Sequence, residues 1–242
     1  GEEKSLDFTV YKNLSDHLST QSKVISYPNG QKPTRADFEL KILNNEQQRD
    51  LLLPLAIKIQ NLTIDKEEQA RIAVSIVQNI EYGFSNKTEN FFGTEINYSR
   101  YPYEVLYDSQ GICGEKSELL AFLLREIGYE TVLLYHQQEN HQAVGIKCPI
   151  DKSYKNTGYC FVETTGPAII SDNSIEYVGG ITLQSEPEII FISEGISLPH
   201  DMPEYRDADI MESIRSGKLI FKEHEFNKLK EKYGLVEEYF ID

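Results

Sequence analysis

The 242-residue chain has no tryptophan, two methionines and three cysteines. Three cysteines are too few for a disulfide framework, so the fold must rest on an apolar core. A chain of this length buries roughly 70% of the surface its unfolded form exposes, and needs no staples to fold. No apolar run approaches the roughly 18 residues of a membrane span. The greasiest stretch, Leu51 to Ile59, is broken by Pro54 and Lys58. Basic residues are in short supply: 24 Lys and Arg stand against 39 Asp and Glu, for a net charge of −15. Such a chain lacks the cationic face that displaces phosphate counterions, which argues against sequence-independent nucleic-acid binding. A glycine-rich phosphate loop and a Gly-x-Ser-x-Gly elbow are also missing. There is no signal-peptide pattern, but the chain opens at Gly1 rather than Met, so a removed leader or anchor stays open.

Apolar residues make up 40% of the chain, enough for a packed core rather than disorder. Four Asn-x-Ser/Thr sequons, at Asn13, Asn61, Asn86 and Asn97, favour an extracytoplasmic setting.

Short strands are expected at Asp7–Tyr11 and Phe38–Leu43. Helical spacing of apolar residues predicts helices over Glu46–Gln60, kinked or begun by Pro54, and over Asp65–Ile80. Asp65 and Glu68 read as a capping pair for the second. Residues 82–110 read as a long loop, a kind that is often functional. Leu119, Leu120, Phe122, Leu123, Leu124 and Ile127 then mark a strong helix with Gly128 as its stop. Beyond Glu130 the period becomes two, predicting strands at Thr131–His136, His141–Cys148, Gly158–Thr165, Ile175–Val178 and Glu188–Ser193. Helical pieces return near Asp207–Arg215 and Glu223–Lys232. The order implies an α+β fold. Residues 65–200 are the expected core, with 1–64 and 201–242 as extensions packed on it.

Cys113 lies in Gly111-Ile112-Cys113-Gly114-Glu115-Lys116-Ser117, at the start of the strong helix. Unpaired N–H groups and the positive end of the helix dipole favour a thiolate there. Flanking glycines admit a substrate backbone. His141 follows a polar turn and opens a strand, with small residues Ala143 and Gly145 on its face. His136, at the end of the preceding strand, is the competing base. Glu163 stands in an otherwise apolar strand, where a carboxylate is costly unless paired. A hairpin of 141–148 with 158–165 sets His141 opposite Glu163, an arrangement that orients an imidazole toward a thiol. In that register Cys148 faces Asn156 and Cys160 faces Val144. A disulfide tolerates about 7 Å between α-carbons, so two separate thiols are expected. The spacing of Cys113, His136 and His141 matches no zinc motif.

Taken together, Tyr101-Pro102-Tyr103-Glu104-Val105-Leu106, the Cys113 window, the helix ending at Gly128, His141 and Glu163-Thr164-Thr165 resemble the core of the transglutaminase-like superfamily. The resemblance covers about residues 65–170. It implies a papain-like order of Cys113 as nucleophile, His141 as base and Glu163 as the orienting acid. The implied fold is a nucleophile helix packed on an antiparallel sheet, and no metal or cofactor is implied. Three departures stand out: glutamate replaces the usual aspartate, Gly114 replaces the aromatic residue that often follows the cysteine, and tryptophan is absent. Tyr98, Tyr101 and Tyr103 are candidates for the missing aromatic wall or for an oxyanion contact, and Gln110 is a further oxyanion candidate. The expected activity is hydrolysis of a peptide or amide bond through a cysteine thioester. Acyl transfer to an amine, or a silent binding module on the same fold, are the alternatives. The expected partner is a peptide or protein substrate.

Overall fold

Asp65 accepts a hydrogen bond from the Glu68 N–H at 3.1 Å and so caps the first helix with a clean amphipathic pattern, Lys66–Gln78. The computed structural model describes residues 5–28, 30–91, 94–174, 182–217 and 223–236. In chain order, α1 (Lys12–Ser19), α2 (Arg35–Leu43), α3 (Glu46–Leu62) and α4 (Lys66–Gln78) come first. Pro54 lies inside α3 without ending it. Both Pro54 and Asp50, whose carbonyl loses its donor, are exposed, so water can take the vacant bond.

Phe38–Leu43 is helical, not a strand. Thr34 and Asp37 exchange hydrogen bonds in a reciprocal capping box and start α2 three residues earlier than the apolar alternation suggested. Residues 7–11 join no sheet among the described residues; the Tyr11 N–H instead donates to the Tyr103 hydroxyl at 2.9 Å.

The expected loop at 82–110 is largely ordered. It holds β1 (Glu81–Tyr82), a hairpin of β2 (Thr88–Phe91) and β3 (Thr94–Asn97), α5 (Pro102–Asp108) and β4 (Gln110–Gly111). Pro102 occupies the first turn of α5, and Glu104 reaches back to the Tyr101 N–H at 3.0 Å. The parallel pairing of Tyr82 with Gly111 brings the end of α4 beside the cysteine loop.

Next come α6 (Cys113–Ile127), β5 (Thr131–His136), β6 (His141–Lys147), β7 (Tyr159–Val162), β8 (Glu188–Ser193), α7 (Pro203–Arg215) and α8 (Glu223–Tyr233). Gly128 ends α6 at φ 110°, a conformation that suits glycine. The expected strand at Ile175–Val178 lies outside the described residues. The four long strands form one antiparallel sheet in the order β7-β6-β5-β8. The fold is therefore α+β. From Glu115 to Leu124 every residue of α6 is buried, because α3, α4 and α5 cover one side and β5 and β6 the other. A helix enclosed in this way is apolar around most of its girth. Leu18, Ile42, Leu43 and Leu52 from the first three helices enter the same core. Val132, Leu134, Ala143, Tyr154 and Phe161 make a second core on the far face of the sheet.

The β6–β7 register differs from expectation. Gly145 pairs with Phe161 and Ile146 with Cys160, a shift of two residues. The turn responsible contains two short 3-10 segments, Ile150–Lys152 and Tyr154–Asn156, which hydropathy does not reveal. The shift halves the offset between the cysteines, and Cys148 and Cys160 form a disulfide with α-carbons 5.7 Å apart. The expectation of two free thiols is thus corrected. The bridge closes a short loop, for which chain-entropy arguments give about 3 kcal/mol. Cys148→Ser is accordingly expected to lower unfolding stability by about 2–3 kcal/mol in denaturant titrations. Unreduced protein should show the Cys148–Cys160 linked peptide by mass spectrometry.

Candidate active site

Cys113 is the free cysteine among the described residues and is partly exposed at the first position of α6. Its loop is fixed by Glu115, which accepts from the Ile112 N–H (3.1 Å) and the Arg100 N–H (2.7 Å). Arg100, 3% exposed, also donates to Glu115, Asp108 and Gln110 and to the carbonyls of Gly83 and Phe84. The turn presenting the thiol is therefore anchored through one buried guanidinium.

His141 is the first residue of β6 and is 7% exposed. Its Nε2 lies 2.9 Å from Glu163 Oε2. Cys113 acts on the ring as well and favours its protonated form. Burial works against the imidazolium, but the hydrogen bonds to Cys113 and Glu163, and the charges of both, outweigh it. The pKa of His141 is pushed up to about 9.

Glu163 sits just beyond the end of β7 and is 1% exposed. In the observed register it lies level with Ala143, so its side chain must reach diagonally to His141. The extra methylene of glutamate supplies that reach. Its other oxygen, Oε1, accepts from the Thr165 N–H (2.7 Å) and Oγ1 (2.6 Å). Burial alone would raise its pKa, yet the bonds and charge from His141 and the Thr165 donors hold it below the usual carboxylate value.

Helix α6 touches both partners. Ser117 Oγ donates to the Gln142 carbonyl and meets Thr164 Oγ1, each at 3.0 Å. The Gln142 side chain is bracketed by Arg35 and Glu39 of α2. Glu39 lies beside Glu118, whose pKa rises well above normal through burial and then through the charge of Glu39. A Cβ at Gly114 would lie 3.9 Å from Gln142 Nε2, so the glycine leaves open space next to the thiol.

The remaining sequence candidates sit elsewhere or are otherwise engaged. Tyr98, Tyr101 and Tyr103 are 7%, 1% and 1% exposed and belong to the protein core rather than to an open channel wall. Tyr98 donates to Glu104 at 2.5 Å, and the Lys23 ammonium lies over the rings of Tyr98 and Tyr101 at 4.3 and 4.5 Å. Of the three, Tyr103 lies in α5, Tyr101 caps that helix and Tyr98 precedes it. Gln110 accepts from Arg100 at 3.0 Å, and its amide packs so close to Gly83 that a Cβ there would come within 2.4 Å. Two other acids near the sheet are engaged as well: Asp172 is bound to Arg215 (2.8 Å), and Asp151 is beside His200 (3.2 Å).

His136 is fully buried and directly opposite His141, but its Nδ1 bonds to the Ser185 carbonyl at 3.0 Å. Burial lowers its pKa. No group of His, Cys, Asp and Glu suited to a metal ion occurs among the described residues. His141→Ala is expected to remove activity, whereas His136→Ala should cost stability and leave the pH–rate profile in place. The reverse outcome in paired assays would reassign the base.

Tyr82 was not legible beforehand. Burial, followed by the negative charges of Cys113, Glu115 and Glu163, raises its pKa, which puts the phenol beside the site. Nothing in the Glu81-Tyr82-Gly83 sequence marks it; the parallel pairing of β1 with β4 brings it there.

No family model matches the sequence, and no curated protein does. Solved structures offer a distant likeness of fold. Among them is LapG of Legionella pneumophila. One LapG chain aligns with a TM-score of 0.32 and 15% identity, over 54% of this chain and 73% of its own. The calcium-bound form aligns at 0.32 and 12% identity, over 74% and 99% of the two chains. The EGTA-treated form aligns at 0.35 and 12%, over 74% and 98%. Among the described residues no helix is long and apolar enough to cross a membrane.

Proposed function

We propose that the chain is a transglutaminase-like thiol hydrolase that cleaves a peptide or amide bond through a Cys113 thioester. The observation carrying this reading is the buried His141–Glu163 pair, 2.9 Å apart, whose imidazole is also acted on by Cys113, the first residue of a helix.

The chemistry follows from the geometry. The Cys113 sulfur, its proton on His141, attacks the substrate carbonyl carbon and forms a C–S bond. Negative charge moves to the carbonyl oxygen. The backbone N–H of Cys113, unpaired in the first turn of α6, is the donor suited to it. Collapse breaks the C–N bond as His141 Nδ1 delivers its proton to the departing amine. Water then attacks the thioester and gives a proton back to His141. The C–S bond breaks, the acid is released, and the thiolate–imidazolium pair is restored. Glu163 stays ionised throughout, keeping Nε2–H pointed at itself and Nδ1 toward sulfur. An amine in place of water would make the same thioester an acyl donor.

The test is modification of Cys113. Iodoacetamide should label it at about pH 6 far faster than it labels a free thiol, whose thiolate is scarce there. A peptide carrying a thiol-reactive carbonyl should label it faster still. Labelling no faster than that of a free cysteine would defeat the reading.

A further inference from the structure

Lys116 is fully buried, although lysine is almost never so unless paired. No carboxylate lies within salt-bridge distance of it among the described residues. Its ammonium donates instead to three backbone carbonyls: Ile80 at 2.5 Å, Thr165 at 3.1 Å and Gln78 at 3.5 Å. Two of these lie at the C-terminal end of α4, where carbonyls lack helical partners and a cation is welcome. The third belongs to the short segment that carries Glu163. A charge buried in this way is costly unless it does something that an apolar side chain cannot.

Its location suggests what that is. Lys116 is on the first turn of α6, three residues after Cys113, on nearly the same face. Gln78 holds the acid segment from the other side: its Nε2 donates to the carbonyls of Glu163 (2.9 Å) and Ala168 (3.1 Å), and its Oε1 accepts from the Ala168 N–H (3.3 Å). Neither tie touches the carboxylate of Glu163. Both fix the backbone on which it stands. Consecutive residues of one helical turn thus reach every part of the site. Glu115 sets the cysteine loop, Lys116 grips the acid segment, and Ser117 holds Gln142 and Thr164.

We infer that Lys116 is a positioning residue for Glu163, locking the acid segment to the nucleophile helix. This rests on the proposed roles of Cys113, His141 and Glu163. Burial draws the Lys116 pKa down to about 8, opposed by the charge of Glu163. At about pH 6 the lysine is therefore charged.

The experiment is a double-mutant cycle read by iodoacetamide labelling of Cys113 at about pH 6, with circular dichroism as the check on folding. Lys116→Met should slow labelling about tenfold, as displacement of an orienting group does. In the Glu163→Gln background the same change should alter the rate by less than about twofold, because the group through which it acts is already disabled. Equal slowing in both backgrounds would overturn the inference, as would a folded Lys116→Met protein that labels like wild type. If Lys116→Met fails to fold, Lys116→Gln, which keeps an amide donor for the Thr165 carbonyl, carries the same comparison. Failure of both to fold would assign the residue to the core and also overturn it. Slow labelling of the wild-type protein would instead defeat the hydrolase reading itself.

Discussion

Cys113→Ala should abolish turnover of peptide or amide substrates, by at least about 10⁴-fold, while the protein stays folded. The thiol is partly exposed, so its removal leaves no sealed cavity, and the melting temperature should move by no more than about 2 °C. A second signature comes from His141. The thiol contributes a hydrogen bond and a charge to holding the imidazolium, so the His141 pKa should fall from about 9 in the alanine variant. Imidazole NMR in both proteins measures this directly. A folded Cys113→Ala protein with wild-type turnover would remove the thiol from the chemistry.

Replacements of Glu163 should form a graded series in kcat/KM. Aspartate keeps the charge but falls short of the diagonal reach to His141, and a loss of about 10- to 100-fold is expected. Glutamine should lose about 10³- to 10⁴-fold. The two Thr165 donors claim its oxygen, so its NH₂ faces His141 and forces Nε2 to become an acceptor. The pH profile follows from signs. His141 has a folded pKa above its ordinary 6.5, so what it adds to stability is complete below about 6.5 and fades as pH rises through about 9. Activity should fall over the same alkaline limb. Without the carboxylate the imidazolium is less favoured, and the limb should move to lower pH in Glu163→Gln. An unchanged limb and rate would remove Glu163 from the site.

The parts of this protein that were legible beforehand are those with long, uninterrupted periodicity. Helices α3, α4 and α6 and strands β5, β6 and β8 fall where apolar spacing puts them. Helix α5 was hidden because seven residues are too few to show a period, and its markers, Pro102 and the capping Glu104, read equally well as a turn. Helix α2 was mistaken for a strand because its start depends on a side-chain box at Thr34 and Asp37, not on hydropathy. For the candidate site, Cys113, His141 and Glu163 were nameable because each breaks the pattern around it. The register that joins them was not, since two 3-10 turns between β6 and β7 shift it by two residues, and the disulfide was missed with it. Gln78, Tyr82 and Lys116 gave no signal. Each is a polar residue near the end of an element, where sequence alone reads an ordinary solvated terminus.

Arg100 bears on how freely this chain can vary. Its Nε, Nη1 and Nη2 together engage Asp108, Glu115, Gln110 and the carbonyls of Gly83 and Phe84, which belong to separate stretches of chain. Only a planar, forked cation meets so many acceptors in different directions; an ammonium on a lysine stem is a single point with three donors. The usual exchange of one basic residue for the other is thus closed at position 100. The long stretch from Gly83 to Glu115 can change its surface residues, and even its length between fixed points, but has to keep one arginine at its centre.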